Sequence, residues 1–477
     1  MSQRDKIANE LSEARRVRGS RYIVESGLLP EIQAVAQREV PSDTQARNVW
    51  LSRVADMGTQ TSVSESASRS SPEALSAQLE KVNQQIAKHS DRSRALVGST
   101  ASVQEIQKSL TNDEALVHYV VAEEQTFIIA IDKASSAMSV VRAGRSEIEA
   151  SVSALRNSLK ATPLKPFDTA LAAELHRILL APVSSITNGK KRLIVVKDGA
   201  LSQLPFAVLR NGGPQGVWLV ENHALESAPS ASSFVLSRKA GNSGRAPQPF
   251  IGIGSPIISS SSANTANSPE NILGIRGAAR SVKDLGELPE TESELRAFAR
   301  IFGADQGAVM VRDQATESKV RAADMSRYRV LSFATHALMA GETMENDQAA
   351  LVLSNPLQSQ NAREDGLLTA SEVAGLKLNA DLVILSACNT AAGSDILSAE
   401  SLNGLARSFF AAGARALLVS NWAVHSEATQ KLMTNFASAY QKSSTKSDAL
   451  RSAMLSLAQD QQYAHPYYWA PFDIIGS

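Results

Sequence analysis

The chain has 477 residues, long enough for two or three domains at ~100–200 residues each. Its 48 Lys plus Arg balance 48 Asp plus Glu, so no global positive field exists to hold nucleic acid or an anionic membrane. One cysteine, Cys388, excludes an intramolecular disulfide and a cysteine-rich zinc site. No apolar run approaches the ~18 residues of a membrane span, and the start lacks a secretory apolar core, so the chain reads as cytosolic.

Residues 1–110 read as an α-helical region. Tyr22–Gly27 ends at a glycine stop, and Pro30 opens a second helix. After serine-rich 60–71, Leu75, Leu79 and Val82 mark one face of a longer amphipathic helix. From 111 onward an α/β domain is expected, with a first half over 111–245 and a second over 246–477. Ala115–Val121 and Thr126–Ile131 are β-branched runs separated by acidic turn residues, as in antiparallel strands. Helices follow at about 146–160 and 168–180, then the apolar run Leu193–Lys197 ending at Asp198-Gly199. Five further runs, Phe250–Ile253, Arg329–Ala334, Ala350–Leu353, Asp381–Ala387 and Ala416–Ser420, are separated by helical patterns at about 291–302, 314–326 and 400–412. Apolar runs alternating with helices predict a sheet covered by helices on both faces. Serine-rich Gly254–Ala278 is expected to be a long surface loop.

Two reactive residues stand at the carboxyl ends of predicted strands, where open α/β sheets gather their chemistry. Arg329–Thr335 runs into His336, and Asp381–Ala387 runs into Cys388. On parallel neighbouring strands, imidazole and thiol emerge side by side. The histidine can then generate the thiolate and later protonate a leaving amine. The bland alternatives are a buried packing cysteine and a hydrogen-bonded strand-end histidine. Gly252-Ile253-Gly254 and Asp198-Gly199 lack the residues of a phosphate loop and read as strand-end turns. His425 and His465 read as structural, and Asp381 as a strand-end cap rather than a partner of His336.

Ser332-Phe333-Ala334-Thr335-His336 and Val383-Ile384-Leu385-Ser386-Ala387-Cys388-Asn389-Thr390 resemble the two active-site motifs of CHAT-domain proteins, relatives of caspases and separase. The spacing 388 − 336 = 52 is close to the ~50 residues that separate the two in caspases. Further matches follow in order: Leu204-Pro205-Phe206, Asp365-Gly366-Leu367-Leu368-Thr369, Gly404-Leu405-Ala406-Arg407, Trp422 and His465–Phe472. The resemblance covers about 115–477. It implies a caspase-like fold and a cysteine endopeptidase acting on protein substrates through a His336–Cys388 dyad. The amides of Ala337 and Cys388 would hold the oxyanion. It implies no metal and no organic cofactor. The helical region is similar to the stretch that joins tetratricopeptide repeats to such domains, and a regulatory protein partner is expected to act there.

Several positions depart from the family pattern: Ala337 replaces glycine, Asn389 replaces a common glutamate, and His425-Ser426 follow Trp422 where one or two aspartates are common. Asp395 and Glu400 are candidates for the pocket of the residue before the cut bond, where a carboxylate favours Lys or Arg. Their bland reading is a solvated loop acid. Two rival functions stay open: a catalytically silent scaffold binding partners through its helices, and acyl transfer or hydrolysis on a non-peptide ester.

Overall fold

The computed structural model describes residues 101–476, apart from 160–163, 241–244, 259–281, 283–284, 339–347, 356–364, 387–404, 423 and 443–444. The helices expected within 1–100 lie outside the described residues. Helix α1 (Val103–Ser109) opens with Ser102 and Glu105 in a reciprocal capping box. Next come β1 (Glu114–Val121) and β2 (Thr126–Asp132), paired antiparallel as their turn residues predict, and β3 (Ser136–Val141), an unforeseen strand antiparallel to β2. Helices α2 (Arg145–Asn157) and α3 (Thr169–Leu179) lead to β4 (Arg192–Val196), the hairpin β5 (Arg210–Asn211) and β6 (Val217–Trp218), then β7 (Ala224–Ser227) and α4 (Ala231–Ala240).

The chain continues through β8 (Gln248–Gly254), α5 (Pro289–Phe302), β9 (Val309–Val311), α6 (Glu317–Ala322) and β10 (Tyr328–Ala334). Strands β11 (Ala337–Leu338), β12 (Ala350–Val352) and β13 (Leu367–Thr369) precede α7 (Ala370–Gly375) and β14 (Leu382–Leu385). After α8 (residues 405–412) come β15 (Ala416–Ser420), α9 (Ser426–Tyr440), α10 (Lys446–Ala458) and β16 (Phe472–Gly476).

Among the described residues eleven strands form one sheet in the order β3-β2-β1-β4-β7-β16-β15-β14-β10-β8-β9. Strands β1, β4, β7 and β16 run parallel, and so do β15, β14, β10, β8 and β9. The two sets meet at an antiparallel β15–β16 pair, so their carboxyl ends open on opposite edges of the sheet. The α/β class with helices on both faces is as expected. Among the described residues no helix is long and apolar enough to cross a membrane.

Alternation along the strands assigns the two faces. Val330, Ala334, Leu382 and Ile384 share a core with Leu295, Phe298 and Phe302 of α5 and with Leu432 and Phe436 of α9. Leu331, Phe333, Val383 and Leu385 face the other way, onto Phe409 of α8 and Val320 of α6. Fully buried leucine and phenylalanine side chains each contribute about 1.5–3 kcal/mol of transfer free energy, so these two layers hold β10 and β14 in place.

Two expectations change. The Ala350–Leu353 run does not join the main sheet: β12 lies between β11 and β13 in a separate antiparallel sheet. An apolar run shows that a strand is buried on both faces but not which strand it pairs with. The segment expected to loop from Gly254 begins inside the protein, with Ser255 only 1% exposed and Ile258 packed beside Leu338 and Val352. Residues 259–278 of that loop lie outside the described residues.

Charged groups are buried where β1, β4 and β7 approach α4 and α10. Arg192 bonds Glu114 at 2.5 Å and Asp448 at 2.8 Å, and Arg238 reaches Glu114 at 3.0 Å. Glu226 on β7 is also buried, and burial pushes its carboxyl up to about 7. Lys197 and Asp473 pair at 2.6 Å, 9% and 16% exposed.

Candidate active site

Strand β10 carries His336 to the carboxyl edge of the second parallel set. Past Ala334 the chain is turned into the small sheet: the Thr335 hydroxyl donates to the Val352 carbonyl, and the Val352 N–H donates to the His336 carbonyl at 2.9 Å. The imidazole is 4% exposed, and its Nε2 lies 2.8 Å from the Gly286 carbonyl. A carbonyl only accepts, so in the neutral ring Nε2 carries the proton and Nδ1 is the basic nitrogen.

Ala337 follows on β11, an edge strand of the small sheet. The bond from Val352 N–H to His336 O makes Ala337↔Leu351 a non-hydrogen-bonded pair. The Ala337 N–H therefore points away from β12, along the outer edge of β11. Among the described residues the only non-glycines with positive φ are Ser255 and Arg312. Alanine in place of glycine thus carries no backbone strain at this position.

Strand β14 lies parallel beside β10, pairing Val330 with Leu382, Leu331 with Val383, Ser332 with Ile384 and Phe333 with Leu385. Ser386, one residue past the strand, is fully buried and donates to Glu294 Oε1 at 2.8 Å. Cys388, Asn389, Asp395 and Glu400 lie outside the described residues.

Glu294 and Gly286 were not anticipated from the sequence. Glu294 sits on the inner face of α5, whose stripe of Thr291, Leu295, Phe298 and Phe302 is legible, and it is 0% exposed. The acids at 290, 292 and 294 look alike in sequence, and only the helical period separates the inner one. Gly286 acts through its carbonyl, which no side-chain pattern announces.

The other singled-out residues have structural tasks. Asp381 stands at the amino end of β14, at the opposite end from His336, and accepts from Arg415 at 2.8 Å. His425 caps α9 through Nδ1, and His465 caps the short helix Pro466–Trp469 in the same way. Trp422 donates to the Tyr467 carbonyl at 3.1 Å, which joins two of the sequence motifs. Gly252 and Gly254 let α5 approach β8: a Cβ at either would lie 2.9 Å from a Leu295 methyl carbon. Asp198 accepts from the Val121 N–H at 2.8 Å, and Gly199 turns the chain at φ +53°. Gly366 of the Asp365–Thr369 motif takes φ +84° and donates to the buried carboxylate of Glu317 at 2.7 Å. Among the described residues no group of three or more His, Cys, Asp or Glu is placed to hold a metal ion.

A family model described as the CHAT domain matches residues 169–477. Strands β1–β3 precede that match yet belong to the same sheet. Tetratricopeptide repeat protein 28 of Homo sapiens is 28% identical over 339 residues, which is 64% of this chain and 13% of that protein. Its Mus musculus counterpart is 27% identical over 358 residues, 68% of this chain and 13% of that protein. The chain therefore spans a small fraction of the length of these relatives. Among solved structures, the Saccharomyces cerevisiae separase–securin complex aligns with a TM-score of 0.49 and 9% identity over 92% of this chain and 34% of that one. The Arg specific cysteine proteinase gingipain R aligns at 0.38 and 10% identity, over 70% and 74%. Likenesses this distant do not establish a common site.

Proposed function

The chain belongs to the CHAT domain family, and from that membership we propose that it is a cysteine endopeptidase with His336 and Cys388 as its dyad. One observation carries the reading. The parallel register of β10 and β14 has a constant offset of 52 residues, as in Phe333↔Leu385. The same number separates His336 from Cys388 in the sequence. Cys388 also shares the parity of Leu382, Ile384 and Ser386, the positions that face α5.

In this mechanism His336 Nδ1 takes the thiol proton, and the Cys388 sulfur attacks the scissile carbonyl carbon. The carbonyl oxygen becomes an oxyanion held by the N–H groups of Ala337 and Cys388. Loss of one such donor typically costs ~2.7–4 kcal/mol of transition-state stabilisation. The carbon–nitrogen bond then breaks as the imidazolium protonates the leaving amine. Water, deprotonated by His336, hydrolyses the thioester and restores the thiol. This chemistry needs no metal or organic cofactor.

Asp395 and Glu400 are assigned to the pocket before the cut bond, with a preference for Lys or Arg. A peptidase loose in the cytosol must be restrained, and a protein partner acting on the amino-terminal region would supply that control. The relatives' naming for tetratricopeptide repeats supports a protein partner. Profiling a peptide library and a panel of simple esters with wild type, Cys388→Ala and His336→Ala tests the reading. Cleavage of peptides by wild type alone supports it. Ester turnover without peptide cleavage would favour general acyl chemistry, and equal silence of all three, with the partner present, would favour a scaffold.

A further inference from the structure

The amino-terminal part of α5 and the residues leading into it touch three strand ends at once. The Gly286 carbonyl holds His336 Nε2 at 2.8 Å, beyond β10. Thr291 Oγ1 accepts from the Ser255 N–H at 3.0 Å, beyond β8, while its own proton goes to the Leu288 carbonyl at 2.7 Å. The Glu294 carboxylate accepts from the Ser386 hydroxyl at 2.8 Å, beyond β14. The two glycines of β8 allow the helix to lie this close.

A carboxylate with no exposed surface is costly to retain, and an apolar residue on this stripe would satisfy packing alone. We propose that Glu294 is a positioning residue: through Ser386 it fixes the carboxyl end of β14 to the same short stretch of chain that orients His336. His336 and Ser386 are then both tied to one short segment, Gly286–Glu294, rather than held by the sheet alone. The inference rests on the His336–Cys388 dyad proposed above and adds the part that holds its spacing.

Because the chain has one cysteine, alkylation by iodoacetamide reports on Cys388 alone. The rate is measured from pH 5 to 9 for wild type, His336→Ala, Glu294→Leu, Glu294→Gln and Ser386→Ala, each checked for folding by circular dichroism and melting. Wild type should show a reactive thiol below pH ~7 that His336→Ala abolishes. Glu294→Leu and Ser386→Ala should alkylate ~10- to 100-fold more slowly at neutral pH, the scale of loss when a reacting group is misplaced by about 1 Å. Glu294→Gln keeps an oxygen for the Ser386 hydroxyl and should restore most of the rate. If Glu294→Leu does not fold, Ser386→Ala and Glu294→Gln decide the matter. A His336-dependent profile that is unchanged in Ser386→Ala and in every folded Glu294 variant overturns the inference and leaves the dyad standing. A wild-type profile identical to that of His336→Ala removes the dyad, and the inference with it.

Discussion

Replacing Glu226 by Gln should make the protein's stability less sensitive to pH, by an amount the structure sets. The carboxyl is buried on β7, and burial raises it from 4.5 to about 7 although Arg238 of α4, Lys446 of α10 and Arg192 of β4 pull it down; Glu114 of β1 adds to the rise. A carboxyl that binds its proton more tightly when folded contributes its full stability below 4.5, and that contribution is lost as pH rises to about 7. At 1.36 kcal/mol per pH unit, the loss amounts to about 3 kcal/mol. Glutamine mimics the protonated side chain at every pH. Urea unfolding of wild type and Glu226→Gln should therefore agree within about 1 kcal/mol at pH 5, and the variant should be more stable by about 3 kcal/mol at pH 8. Titrating groups outside this cluster cancel in the difference. A gap of the same size at both pH values would refute the reasoning, because the buried charge would then have no cost of its own.

Ala337→Gly should change kcat/KM on a cleaved peptide by less than about tenfold, or ~1.4 kcal/mol, since alanine already fits its strand conformation. Ala337→Pro should abolish turnover with little loss of stability, because the N–H it removes takes no part in the β11–β12 ladder; full activity would exclude this amide from the oxyanion site. Gly366→Ala should lower stability in urea unfolding by at least about 1–2 kcal/mol, because φ is +84° and the new Cβ would meet Asn355 Cβ at 3.0 Å. Asp473→Ala leaves the Lys197 ammonium buried without its carboxylate and should cost about 3–5 kcal/mol by the same method. An effect below about 1 kcal/mol would show that water reaches the ammonium.

Where strands are buried on both faces, the sequence was easy to read. Ala416–Ser420 is apolar through its first four residues and forms β15 over the expected span. The Arg329–Ala334 run likewise gave β10 and delivered His336 to a strand end. Strand β3 escaped notice because it is a sheet edge, with alternation too weak to mark an inner face. Strand β7 is four residues long and contains Glu226, a poor strand former that only tertiary surroundings explain. Helices α9 and α10 hide behind small and polar residues, although Thr445 with Asp448 is a legible helix start. For the site, the histidine was visible as a strand-end residue. Glu294 and the Gly286 carbonyl were not, since their role depends on where α5 crosses the sheet.

The position of β16 has a consequence for synthesis on the ribosome. This strand closes the middle of the sheet, yet it is the last of the eleven to be made. Between Ser227, at the end of β7, and Phe472, at the start of β16, 245 residues must be added. At ~5–20 residues per second that takes roughly 10–50 s. During this interval β7 presents an unpaired strand edge to the crowded cell, and β15 joins it for the final seconds. Such edges are templates for pairing with another nascent chain. Neighbouring ribosomes on one message carry the same two edges, so expression at low temperature or high initiation rate should favour tangled dimers. A chaperone that shields strand edges would protect this protein most between the synthesis of β15 and the synthesis of β16.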